Sequence, residues 1–242
     1  ATTRAKQLLA FFQGRTTDTN HADQRLLRHV IPENRLRVFD VRRAIELLAD
    51  TGSFVELRGG FAPGMITGLL RLDGHAFGLI ANDNRILSGA IDADGADKAA
   101  RFMQLCDAFD IPILSLCDTP GFMVGPEAEK TGVVRHVARM FLKAASVSVP
   151  FFTVVLRKGY GLGAMAMAAG GFHSPTFTVS WPTGEFGGMG LEGYVKLGFR
   201  KELEAIEDLA ERRAFYDKMV AHMYDIGSAL NMAKANRSRA VA

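Results

Sequence analysis

The residues in this chain that could do chemistry are mostly glycines. From position 157 the chain reads Arg-Lys-Gly-Tyr-Gly-Leu-Gly-Ala, directly after an apolar, β-branched run over 151–156 that Pro150 opens. Such a run reads as a strand buried on both faces of a sheet. The small-residue run over 164–169 reads as a short buried helix. A glycine turn between a strand and a helix start leaves backbone N–H groups unpaired at the positive end of the helix dipole. It can hold an anion or stabilise a developing oxyanion, and it needs no acidic or nucleophilic side chain.

An earlier stretch repeats the design. Residues 111–117 form another buried-strand run, followed by Asp118-Thr119-Pro120-Gly121-Phe122-Met123-Val124-Gly125 and a strong helix signal. Either loop alone reads equally well as a plain turn. The pair predicts two neighbouring parallel strands whose glycine loops, at Gly121 and Gly163, face one crevice.

The rest of the chain must supply the frame. Spacing predicts a helix over 3–13, then a polar linker over 14–32. Asp40 caps a helix to residue 50, and a short strand covers 54–57. Strands over 65–72 and 75–81 flank Asp73-Gly74, the pair that a type I′ hairpin turn favours. A turn over 82–89 leads to a helix over 93–109. One long helix is expected from Pro126 or Glu127 to 145, a last strand over 177–181, and a glycine-rich loop over 182–190. Residues 201–235 read as an amphipathic helix. The order is α/β, with a crossover helix after each sheet strand. Two parts are expected: an N-terminal helix and linker over 1–32, and one domain over 33–242.

Composition narrows the function classes. The chain has 242 residues, 48% of them hydrophobic and 23% charged, with a net charge of +3 and a pI near 9.0. That mild excess tolerates an anionic ligand. No Lys/Arg stripe is interleaved with aromatics, so no nucleic-acid partner is expected. Cys106 and Cys117 read as buried thiols, and there is no CxxC. No signal peptide or membrane-spanning run is visible, which suits a cytoplasmic protein. The start at Ala1-Thr2-Thr3, without a methionine, suggests a fragment of something longer. His21 and His29 read as solvated surface, His75 and His173 as strand-start and loop residues, and His136 as a helix-surface residue before a functional one. Asp118 is expected to cap its own loop. No His/Asp/Glu cluster has metal-ligand spacing, so no metal is expected.

Residues 41–198 resemble the C-terminal half of the biotin-dependent acyl-CoA carboxyltransferases, the family of the propionyl-CoA and methylcrotonoyl-CoA carboxylase β subunits. Four segments carry the resemblance, in order: Leu79-Ile80-Ala81-Asn82, the Asp118 to Gly125 loop, Arg157-Lys158-Gly159-Tyr160-Gly161, and Trp181-Pro182-Thr183-Gly184-Glu185 with Met189-Gly190. The resemblance implies a crotonase-like ββα superhelix. It implies carboxyl transfer from carboxybiotin on a biotin carboxyl carrier protein to an acyl-CoA, through enolates stabilised by an oxyanion hole. It also implies that an N-terminal half from a neighbouring subunit holds the acyl-CoA, so the chain works as a homo-oligomer and should not turn over alone. Carried over by position, the catalytic donors are the amides of Gly121, Phe122, Leu162 and Gly163. Gly161, Tyr160, Ala164, Met165, Gly187 and Gly188 would line the biotin site. The chain departs from propionyl-CoA carboxylases at Leu162, where they have a second glycine, and at Ala164 and Met165, where they have an aromatic and an acid. Leu162 keeps its donor only if the turn does not need positive φ there.

Two other readings stay open. Residues 159–164 fit G-x-G-x-x-A, with Glu185 placed as a ribose-binding acid, which is an NAD-binding Rossmann fingerprint. Against it, two strand–helix steps and a hairpin precede the motif, and the following helix is very short. The third reading is a non-catalytic crotonase-like module that scaffolds an oligomer.

Overall fold

The computed structural model describes residues 2–17 and 19–235. In chain order the elements are α1 (Thr2–Ala10), α2 (Val41–Leu48), β1 (Val55–Leu57), β2 (Met65–Leu72), β3 (His75–Asn82), α3 (Ala93–Ala108), β4 (Ile113–Thr119), α4 (Pro126–Lys130) and α5 (Val133–Ser146). Then follow β5 (Phe151–Tyr160), α6 (Gly161–Met167), β6 (Phe177–Ser180), β7 (Glu185–Gly187), α7 (Leu191–Gly198), α8 (Arg200–Ala205), α9 (Leu209–Ile226) and α10 (Ala229–Ala235). Short 3₁₀ helices occupy Gln24–His29 and Leu87–Gly89.

One sheet runs β1-β2-β3-β4-β5-β6, and β7 pairs with the far end of β5. β1, β2 and β3 are antiparallel neighbours, while β3, β4, β5 and β6 are parallel. The hairpin turns at Asp73-Gly74, both with positive φ, as the sequence predicts. Side chains alternate along each strand, so β4 sends Ile113 and Cys117 to one face and Leu114 and Leu116 to the other. The first face packs under Ala99, Met103, Met140 and Ala164 of α3, α5 and α6. The second packs under Phe39 and, from α2, Val41 and Ile45. Covered on both sides, β4 is buried throughout, which is why it reads as an unbroken apolar run. Both thiols are free and buried, and burial pushes that of Cys106 up to about 12.

Several expectations change. Residues 157–160 belong to the strand instead of the turn, because β7 adds to β5 in parallel register, Lys158 opposite Glu185 and Tyr160 opposite Gly187. The glycine-rich stretch after Pro182 is therefore partly a strand. The long helix is two, since Thr131 ends α4 and Gly132, at φ 66°, caps α5. The helix expected over 201–235 is α8, α9 and α10, separated at Ile206 and Gly227. The segment read as a linker carries Gln24–His29, capped by the Asp23 carboxylate. It is held to the body by Thr16 N–H donating to Gly74 O (3.1 Å) and Thr51 N–H donating to Asn20 O (2.6 Å).

Candidate active site

The site is built where β4 and β5 end. From Ile113 opposite Phe151 to Cys117 opposite Val155 the two strands run in parallel register, then the ladder slips, and Thr119 lies opposite Gly159. Such irregularities re-aim side chains at strand ends. Here the slip brings Asp118 and Arg157 together. Arg157 Nη2 donates to Asp118 Oδ2 at 2.9 Å, and the two side chains are 4% and 0% exposed. Asp118 Oδ1 also accepts from the Lys158 amide (2.9 Å), and the Asn82 Oδ1 accepts from the Asp118 amide (3.2 Å). Arg157 Nη1 donates to the carbonyls of Arg35 and Arg37, at 2.8 and 2.7 Å. Asp118 thus ties the ends of β4 and β5 together and, through Arg157, reaches the 35–37 segment, whereas its place in the sequence predicts a cap on its own loop.

The two glycine loops touch. A Cβ added to Gly163 would stand 2.7 Å from both Cα and C of Gly121, so only glycine permits this approach. The 187–188 segment closes the third side: a Cβ on Gly161 would stand 2.8 Å from the Gly188 carbonyl oxygen. The turn's positive φ falls on Gly161 (56°) and not on Leu162. The leucine is therefore accommodated without strain, and its side chain is 61% exposed.

Backbone donors follow from this geometry. Gly161, Leu162 and Gly163 carry the first amides of α6, which have no intrahelical acceptor. In the other loop, the Gly121 amide is taken up by Thr119 Oγ1 at 3.1 Å. Ile91 N–H donates to Gly121 O and Met123 N–H donates to Ile91 O. Backbone groups alternate in direction along an extended segment, so the Phe122 amide points away from Ile91.

The structure thus brings together Gly121, Tyr160, Gly161, Gly163 and Gly188, with Phe122 and Leu162 as neighbours in the chain. Gly187 ends β7 beside Tyr160. Ala164 is fully buried in the core. Met165 is half-buried, its Cε 4.0 Å from where a Cβ on Gly171 would be. Neither is placed on the glycine cradle.

Tyr160 and Glu185 are both candidates from sequence, but for different sites, and their pairing is not legible there. Tyr160 donates its hydroxyl to Glu185 Oε2 at 2.8 Å. Burial pushes the Glu185 carboxyl up, opposed by Tyr160 and the Arg35 guanidinium. Burial and the neighbouring Glu185 push the Tyr160 phenol up as well. Lys158 donates to the Ser88 carbonyl, and burial pulls its ammonium down. The signal available in advance was the pair of polar residues, Asp118 and Arg157, at the ends of two apolar strands. Away from the cradle, His136 Nδ1 lies 2.8 Å from Asp97 Oδ2 on the α3–α5 surface.

The model of the carboxyl transferase domain family matches residues 12–236. The chain belongs to that family. A solved single-chain, multi-domain long-chain acyl-CoA carboxylase superposes with a TM-score of 0.88 at 53% identity, over 96% of this chain and 22% of that one. Transcarboxylase 12S, solved as a hexamer with methylmalonyl-CoA and methylmalonic acid bound, gives a TM-score of 0.84 at 31% identity, over 98% of this chain and 46% of that one. The propionyl-CoA carboxylase beta chain of Roseobacter denitrificans is 37% identical over 195 residues, 81% of this chain and 38% of the relative. The chain spans less than half the length of these relatives. Its fold is the α/β, crotonase-like class that the sequence resemblance implied. Among the described residues no helix is long and apolar enough to cross a membrane.

Proposed function

We propose that this domain is the biotin-side half of a carboxyltransferase that moves carboxylate from carboxybiotin, on a biotin carboxyl carrier protein, to an acyl-CoA in the cytoplasm. The observation that carries the proposal is the seating of Gly163 on the Gly121 backbone, which sets two amide-bearing loops side by side. The two loops leave no room between them, so a flat ureido ring and its oxygen would lie across their joined glycine edge, where no Cβ screens the amides. Carboxybiotin, when bound, supplies the carboxyl group as CO2. The chain's task is to hold negative charge. The amides of Leu162 and Gly163, at the start of α6, and of Phe122 are the donors for an oxyanion. The Asp118–Arg157 brace keeps the loops from separating, so the donors need no reorganisation when charge develops. No side-chain acid or base is required.

The acyl-CoA would be held by an N-terminal half from a neighbouring copy, in a homo-oligomer such as the hexamer described for transcarboxylase 12S. The long-chain acyl-CoA carboxylase is more alike than the other two relatives above, and Leu162 and Val124 expose apolar side chains beside the loops (61% and 81% exposed). A long-chain acyl-CoA is therefore the proposed substrate class. One contact weighs against the dinucleotide-binding reading. Glu185, which would bind the ribose, instead accepts the Tyr160 hydroxyl.

Calorimetric titration of the chain separately with biotin and with NAD tests the reading. Weak biotin binding and no heat from NAD are expected. Micromolar NAD binding would overturn the proposal in favour of a dinucleotide site.

A further inference from the structure

A second hollow lies where α3 and α5 meet the segment carrying Arg58 and Phe61. Arg58, Phe61, Asp97, Arg101, Gln104, Arg139 and Lys143 line a cavity of about 500 Å³. Its one carboxylate is already spent, since Asp97 is shared between His136 (2.8 Å) and Arg139 (2.9 Å). The nearby Asp107 carboxylate caps the chain before β5, accepting from the Ser148 amide (2.7 Å) and hydroxyl (2.8 Å). Among the described residues, Arg58, Arg101 and Lys143 have no ion-pair partner of their own.

The basic hollow opens into an apolar one. A neighbouring cavity of about 770 Å³ shares Arg58, Arg101 and Gln104 with the first and adds the apolar Leu57, Phe102, Leu105, Ala108 and Phe109 together with Thr67 and Lys98, with no carboxylate. The rim between them is built. Arg58 is held at φ 57°, a conformation that side-chain-bearing residues rarely adopt, with its guanidinium 5.4 Å from the Phe61 ring centroid. Beneath it the buried Lys98 donates to the carbonyls of Phe61 (2.7 Å) and Ala62 (3.3 Å), fixing the loop that carries Arg58. A merely solvated basic face would not be concave, nor continuous with an apolar pocket.

We propose that this double hollow binds a phosphate monoester carrying an apolar or aromatic group. The phosphate sits among Arg58, Arg101 and Lys143, and the organic part lies against Phe102, Leu105 and Phe109. Guanidinium groups suit phosphate because they offer paired donors. The site does not rest on the carboxyltransferase reading and needs no second half of the protein.

Binding of three probes to the 242-residue chain tests it: inorganic phosphate, AMP, and dodecyl phosphate below its micelle concentration. At least one organic phosphate is expected to bind about tenfold or more tightly than inorganic phosphate. AMP as the tighter probe points to a nucleotide source, dodecyl phosphate to a lipid one. The double variant Arg101→Ala, Lys143→Ala removes two exposed or half-exposed cations. It should weaken the preferred probe by about tenfold or more, the loss expected for charge-assisted hydrogen bonds. Ala108→Phe, at an exposed position on the rim of the apolar hollow, should narrow the preference for the organic probe and leave inorganic phosphate unchanged. Absence of binding by all three probes, equal affinity for all three, or an equal loss from the distant pair Arg200→Ala, Lys201→Ala would overturn the proposal.

Discussion

Replacing Gly163 by alanine is expected to lower carboxyl transfer on the order of a hundredfold, the loss typical when one oxyanion-hole donor is displaced. The added methyl would stand 2.7 Å from the Gly121 Cα, against backbone that has no side chain to swing aside. Relief must come from the loops moving apart, which shifts the amides of Phe122 and Gly163 off their target. Leu162→Ala keeps every amide, and the residue is exposed with no positive φ to relieve, so its effect should stay within a few-fold. Both are measured as initial rates in protein that carries the acyl-CoA half, after circular dichroism shows each variant folded. A folded Gly163→Ala variant working at the parent rate would remove this loop from the mechanism.

Asp118→Ala is expected to cost about 3–5 kcal/mol of stability, because it leaves the Arg157 guanidinium buried without its counter-charge. The carbonyls of Arg35 and Arg37 remain as partners, but neither carries a full negative charge. The double variant Asp118→Leu, Arg157→Met should be less harmful than Asp118→Ala alone, since no charge is then stranded. Urea unfolding of the three proteins separates these outcomes. A loss below about 1 kcal/mol for Asp118→Ala would mean that water or a shifted side chain satisfies Arg157, and that the pair does not brace the loops.

Much of this is legible in the sequence alone. β4 and β5 are covered on both faces, so their apolar runs stand out, but each strand runs on into residues that read as loop, β4 to Thr119 and β5 to Tyr160. The Asp73-Gly74 turn is a local signal, and it formed as expected. What sequence could not show was pairing between distant segments. β5 extends to Tyr160 only because Glu185, Phe186 and Gly187 lie beside it, and no local pattern in RKGY announces that. The 126–145 stretch is helical in composition on either side of Thr131-Gly132, and there Gly132 adopts a left-handed conformation that ends one helix and starts another. Asp118 looked like a loop cap because its partner is 39 residues away. The departure at Leu162 could be weighed only once Gly161 was seen to carry the positive φ. Ala164 was named for the site by position in a motif, but helical geometry turns it into the core.

The central claim is that these glycine loops form one half of a carboxyltransferase site. The measurement that tests it most directly is transfer of labelled carboxylate from carboxybiotin to acyl-CoAs ranging from propionyl to palmitoyl. It is made on this chain alone, on an acyl-CoA-binding N-terminal half alone, and on a protein carrying both. Label should reach acyl-CoA only when both halves are present, with long chains preferred. A folded two-half protein that binds acyl-CoA and carboxybiotin yet transfers no label would contradict the account, and would leave this domain as a scaffold.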